Sequence, residues 1–174
     1  MPTLEDLKRE NPQLFAANMI KAAEYTQDQD DLLMYLHLIS ITLASIDAEL
    51  SDLFSDSDIP GFESSLYTPQ GLAKDIEGLQ SLIAETPSLL VKAARHKFAS
   101  SYHDELTSAI QYILPLYSHI KGFLTRTDLT NPQRSSITSI VQRTQRLNKI
   151  IDGYNRAIIR QGYSSNRQIT VQFN

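Results

Sequence analysis

Cysteine is absent from this 174-residue chain. That excludes disulfides, zinc–thiolate sites, iron–sulfur clusters and cysteine nucleophiles. Glycine is sparse: six residues, at 61, 71, 78, 122, 153 and 162, scattered so that none builds a P-loop or a dinucleotide fingerprint. The Gly-x-Ser-x-Gly elbow of serine hydrolases is missing as well. The most apolar stretch, 32–43, carries His37, Ser40 and Thr42 and falls short of the about 20 residues that a bilayer crossing needs, so it reads as a buried helix and no transmembrane segment is expected. Residues 1–10 are charged and lack the apolar run of a signal peptide. The tetrapeptide His103-Asp104-Glu105-Leu106 is internal and is not read as a retention address. The expectation is cytoplasmic residence.

Metal and catalytic signatures are equally thin. None of the four histidines, His37, His96, His103 and His119, follows a glutamate by three positions, and no His-Glu-x-x-His occurs. His96 and His103 stand two helical turns apart, roughly 10 Å along an axis. A metal with bonds near 2 Å cannot join them directly. No metal, no cofactor and no catalytic residue is therefore assigned. Arg95 and His103 distantly resemble the Arg-to-His element of helical-bundle ribonucleases, but seven residues separate them here, a longer spacing than that pattern. That resemblance implies a ribonuclease-like enzyme as a third-ranked reading; its test is whether Arg95, His103 and a carboxylate share a cleft.

What the sequence does contain is helical periodicity. A hydrophobic share of 41% and a charged share of 21% are those of a globular protein. Leu32, Leu36, Ile39, Leu43, Ile46, Leu50 and Leu53 recur in steps of four and three, a coiled-coil-like seam after the acidic cap candidates Asp28, Asp30 and Asp31. Ile137, Ile140, Thr144, Leu147, Ile151, Tyr154 and Ile158 form a second seam, entered at Asn131-Pro132 and closed by Gly162 as a C′ glycine. Shorter helices are expected over 3–10, 13–26 and 70–85, and a long one from about 88 to 125 that Pro115 should kink or split. Residues 55–71, rich in Pro, Gly and Ser, read as one long loop pinned by Phe62, Leu66 and Tyr67. Residues 167–174 alternate polar and apolar with period two, a short extended signal that pairs with a partner, frays or packs on the body. The fold class expected is all-α: a bundle of four to five long, mostly antiparallel helices with a loop near 55–71 and a short extended tail, one domain over 1–166 and a tail over 167–174.

Charge supplies the functional lead. Residues 1–130 hold 9 Lys/Arg against 19 Asp/Glu, whereas residues 131–174 hold 7 against Asp152 alone. With Ile137, Thr144, Ile151 and Ile158 as heptad position a, the outer c and f positions carry Gln142, Arg146, Lys149, Gly153, Arg156 and Arg160. Arg146, Lys149, Arg156 and Arg160 are thus the candidate partner-binding residues, on a face that also suits a purely solubilising role. Three classes follow. The first is a non-catalytic adaptor, chaperone or assembly subunit that binds a protein through an apolar groove or seam. The second binds an anionic polymer, nucleic acid or membrane surface through the basic face. The third is the ribonuclease-like enzyme. Thr144 and Tyr154, polar spots in the seam, also admit a homodimer.

Overall fold

A computed structural model describes residues 31–55, 59–62, 66–85, 92–160 and 162–174, with the backbone alone for residues 31, 85 and 92–100. The helices expected over 3–10 and 13–26, the caps Asp28 and Asp30, and the side chains of Arg95 and His96 lie outside that description. The described residues are all-helical, with four helices and no strand: α1 (Asp31–Ser55), α2 (Gly71–Glu85), α3 (Lys92–Gly122) and α4 (Asn131–Arg160). Short 3-10 turns follow α3 at Phe123–Thr125 and α4 at Ser165–Arg167.

The two seams meet each other. Leu32, Leu36, Ile39, Leu43, Ile46 and Leu50 of α1 are at most 1% exposed, and the seam of α4 is as deeply buried, with Ile137, Leu147 and Ile158 at 0%. Three contacts fix their direction. Tyr35 lies against Gly153, Arg143 bonds Ser45, and Ser139 bonds Glu49, so each step forward along α1 is matched by an equal step back along α4. The pair is antiparallel, the arrangement in which heptad seams interlock at about 20°. At Gly153 the two helices are close enough that a Cβ would stand 2.2 Å from Tyr35 Cε1. Gly153 is therefore not an outer position; its missing side chain admits the Tyr35 ring.

By length and composition α1 could cross a membrane, since its apolar character continues beyond 43 to Ser55. Here that surface is spent on packing against α4 and α2. The hydroxyl of buried Thr42 donates to the Leu38 carbonyl one turn earlier at 2.8 Å, which satisfies it without an outside partner.

α2 and α3 pair antiparallel too: Tyr102 donates to the Leu82 carbonyl at 3.2 Å, while Tyr112 receives the Thr68 N–H at 2.8 Å and donates to the Thr68 carbonyl at 3.1 Å. α3 is not split at Pro115. Pro115 is exposed, and so is Gln111, whose carbonyl loses its helical donor; water can serve that carbonyl, which keeps the helix continuous. α4 starts on a capping box. Thr130 Oγ1 receives the Gln133 N–H at 3.2 Å, and Gln133 Oε1 receives the Thr130 N–H at 3.0 Å. It ends on a Schellman motif: Tyr163 N–H reaches the Ile158 carbonyl at 3.1 Å, Gly162 N–H reaches Ile159 at 3.0 Å, and Gly162 has φ +83°. The expected C′ glycine is in place.

The loop between α1 and α2 is pinned as expected. Ile59 and Tyr67 are buried, and the Phe62 ring packs, tilted or edge-on, against Phe54 (4.5 Å between centroids), His119 (5.7 Å) and Phe123 (5.3 Å). Tyr67 donates to Asp47 at 3.1 Å. Burial, with the Asp47 charge second, pushes the Tyr67 phenol up to about 12, so it stays a donor. The same end is closed from the α3–α4 connection by Arg126, which bonds the Pro60 carbonyl and Asp128 and lies 5.0 Å over the Phe123 ring.

Candidate functional site

Rotation about α4 sorts its residues into rows with different tasks. The a and d rows are the seam. Position g carries Arg143, turned toward α1, where it bonds Glu49 at 3.0 Å and Ser45, and it also reaches Ser139, one turn back on α4, at 3.3 Å. That guanidinium is half-buried and satisfied, so it serves the fold. Arg134 likewise caps the preceding turn through the Leu124 carbonyl at 2.9 Å and the Arg126 carbonyl.

Arg146, Lys149, Arg156 and Arg160, by contrast, are all exposed. They span fifteen residues of one continuous helix, roughly 21 Å end to end. Arg146, Lys149 and Arg156 make no ion pair with a described carboxylate; the ion pairs among described residues are Arg143–Glu49 and Arg126–Asp128. Gln142 and Asp152 are exposed on the same side. The four candidate residues thus share a solvent-facing strip, with Gly153 removed from it. Position c leans toward α1, which is how Gly153 is buried while Arg146 and Arg160, a turn or more to either side, reach solvent.

Sequence periodicity missed the e row. Asn148 and Asn155, seven residues apart, each hold one residue of the tail by both backbone groups. Asn155 Nδ2 donates to the Ile169 carbonyl at 2.7 Å, and Asn155 Oδ1 accepts the Ile169 N–H at 2.7 Å. Asn148 does the same for Phe173, at 2.6 Å to the carbonyl and 2.9 Å from the N–H. A carboxamide offers one donor and one acceptor, so each asparagine acts as a residue of a neighbouring strand. The tail runs antiparallel to α4 in the groove between α3 and α4. From α3, His103 Nδ1 lies 3.3 Å from the Arg167 carbonyl, and Tyr117 meets Phe173 edge-on at 5.4 Å. Ile169 and Phe173 are buried, Val171 is half-buried, and Thr170 and Gln172 face water. The period-two signal is therefore extended backbone packed on helices, with no sheet involved. The signal that could have found the e row is the Asn–cation dipeptide repeated at heptad spacing: Asn148-Lys149 and Asn155-Arg156.

Both polar seam residues are buried inside the chain, Thr144 with its hydroxyl bonded and Tyr154 with a hydroxyl that finds no hydrogen-bond partner among the described residues. Thr144 donates to the Ile140 carbonyl at 2.8 Å and is 0% exposed. Tyr154 is also 0% exposed, and burial holds its phenol above the usual tyrosine range. Among the described residues no three His, Asp or Glu side chains gather as a metal site. His119 belongs to the aromatic cluster with Phe62 and Phe123, and His103 to the tail contact; the Arg95–His103 cleft test falls partly outside the described side chains. Comparison with protein-family models, with curated proteins and with solved structures found no match to this chain.

Proposed function

We propose that the chain is a non-catalytic helical interaction protein, its four described helices the body of a bundle of four to five, which docks an acidic protein partner on the outer face of α4. The observation that carries this reading is the contrast among cations of one helix. Arg143 and Arg134 are consumed by hydrogen bonds within the fold, whereas Arg146, Lys149 and Arg156 stand in water without a described carboxylate. A cation left unpaired in a chain with 20 Asp/Glu serves attraction to something outside better than it serves stability. The strongly acidic balance of residues 1–130 weighs against nucleic acid as the partner, because nucleic-acid binders carry a basic balance and exposed stacking aromatics. The apolar-seam route is the weaker one, since both seams face each other inside the chain.

The test is retention of the full-length protein on immobilised poly-L-glutamate, single-stranded DNA and phosphatidylserine vesicles at low and high salt, beside an Arg146→Glu/Arg156→Glu variant. Retention on poly-L-glutamate that falls steeply with salt and vanishes in the variant is expected. Equal behaviour of wild type and variant at low salt, or preference for DNA or vesicles, refutes the reading.

A further inference from the structure

The four helices form a ring: α1 packs along α4 and along α2, α2 packs along α3, and α3 against α4 closes the circuit. That closing side is the least extensive of the four. At one end it is tied covalently, because residues 123–130 join α3 to α4. Gln145 adds a hydrogen bond to Tyr117 at 3.3 Å. Toward the other end the tail takes over. Arg167 and Phe173 meet His103 and Tyr117 of α3, while Ile169 and Phe173 are held by Asn155 and Asn148 of α4. Tyr163 is buried and its N–H is bonded to Ile158, so it stays with α4; exposed Ser164, Ser165 and Asn166 separate it from the bridging segment. Near the start of that segment lies a defect in the packing. Tyr154 of α4 is fully buried, and its hydroxyl has no hydrogen-bond partner among the described residues. Its neighbours include Tyr102 of α3 and, from the C-terminal segment, Tyr163 and Arg167. A hydroxyl sealed in this way loses its water and gains no bond in return, so the closed arrangement carries a penalty that water entry relieves.

We propose that residues 167–174 are the clasp of a bundle that opens along its α3–α4 side. With the clasp seated, the end of that side away from the 123–130 connection is shut. With the clasp released, α3 and α4 part at that end and water reaches Tyr154, while the connection and the α1–α4 seam hold the rest together. The weak side, the chain segment that bridges it and the unsatisfied hydroxyl beside it all lie at one place, so one motion relieves the defect and uses the side that resists least. The clasp is the chain's own and calls for no second occupant of the groove. The device involves none of the four outer cations of α4, so it stands or falls apart from the reading above.

Native-state amide exchange on the full-length chain tests the opening. The Ile169 and Phe173 amides, bonded to Asn155 and Asn148, should exchange through an opening well short of the global unfolding that Leu43 and Ile46 of α1 report. Tyr154→Phe, which removes the unsatisfied hydroxyl, should slow exchange at Ile169 at least about fivefold. Exchange of Ile169 in step with Leu43 overturns the proposal, because the tail is then part of the global fold. Indifference of Ile169 to Tyr154→Phe also overturns it, because the tail then frays over a groove that stays closed. Distances between nitroxide labels give a second measurement, on cysteines introduced into a chain that has none. Exposed Ser108 and Asp152 report the clasped part of the α3–α4 side, and exposed Ser118 and Gln142 report the part nearer the connection. Asn148→Ala/Asn155→Ala, with folding checked by circular dichroism, should add a longer distance to the Ser108→Cys/Asp152→Cys pair and leave the Ser118→Cys/Gln142→Cys pair unchanged. Unchanged distances in both pairs, or equal lengthening of both, overturn the proposal. If the asparagine variant does not fold, exchange in the wild type and in Tyr154→Phe decides.

Discussion

Replacing Gly153 by alanine is the sharpest probe of the α1–α4 contact, because the same substitution at Gly122 should have the opposite sign. In a helix the glycine-to-alanine change alone is worth up to about 1 kcal/mol in favour of alanine. Gly122 collects that gain: its backbone is helical at φ −59° and ψ −28°, and a Cβ there meets nothing within 4 Å. At Gly153 the Cβ would come within 2.2, 2.5 and 2.7 Å of Tyr35 Cε1, Cζ and Oη. Tyr35 is only 8% exposed and cannot swing clear without disturbing its neighbours. Inserting a methyl into a packed contact costs about 1–3 kcal/mol. The two variants should therefore differ by about 1–3 kcal/mol, with Gly122→Ala the more stable. At about 2–4 °C per kcal/mol for a domain of this size, their melting temperatures should separate by roughly 2–12 °C. Thermal and urea denaturation followed by circular dichroism measure the difference. Tyr35→Leu should recover part of the Gly153→Ala loss in a double-mutant cycle, since it removes the atoms that clash. If Gly153→Ala raises stability as much as Gly122→Ala does, Tyr35 does not lie on Gly153 and the antiparallel register derived from it is wrong.

Two further outcomes follow from local geometry. Thr130→Ala removes the hydroxyl of the α4 capping box and should cost about 1 kcal/mol in urea denaturation, with Gln133→Ala costing less; no loss from Thr130→Ala would mean that α4 starts elsewhere. Asp47 and Glu105 are both held above their ordinary carboxylate values by desolvation, Glu105 also by Asp75 and Asp104. A folded pKa above the unfolded one stabilises the fold below the ordinary carboxylate range, and that contribution is lost as pH rises through the raised value. Asp47→Asn, which keeps an acceptor for Tyr67, and Glu105→Gln should thus stabilise the protein at pH 7 and change little at pH 3; equal destabilisation at both values would contradict the burial argument.

The elements legible in the sequence were those whose cause is local. The seams of 32–53 and 137–158 are heptads written in Leu and Ile, and each turned out as one face of one helix. Gly162 and the period-two tail were readable for the same reason, since C′ geometry and extended backbone depend on a few adjacent residues. Pro115 misled: its effect on a helix depends on whether the orphaned carbonyl reaches water, which periodicity does not report. Gly153 was placed on the outer face because a heptad wheel knows no neighbours; Tyr35, 118 positions earlier, is what turns it inward. Asn148 and Asn155 escaped for a related reason. An asparagine at position e is an ordinary solvated residue until a strand lies beside it, and that strand is supplied by tertiary structure. The cations were legible as a row. Which of their neighbours, such as Arg143, would be neutralised by α1 was not.

The aromatic end of the molecule has a kinetic meaning. Phe62, from the α1–α2 connection, packs on Phe54 in the last turn of α1 and closes onto His119 near the end of α3 and Phe123 just after it, and Arg126 reaches back to the Pro60 carbonyl across 66 positions of chain. Such a latch forms only once the intervening helices have brought its halves together, because closing a long loop costs entropy before any contact rewards it. The two connections at this pole are one late-assembling unit, and slackening either half slackens both.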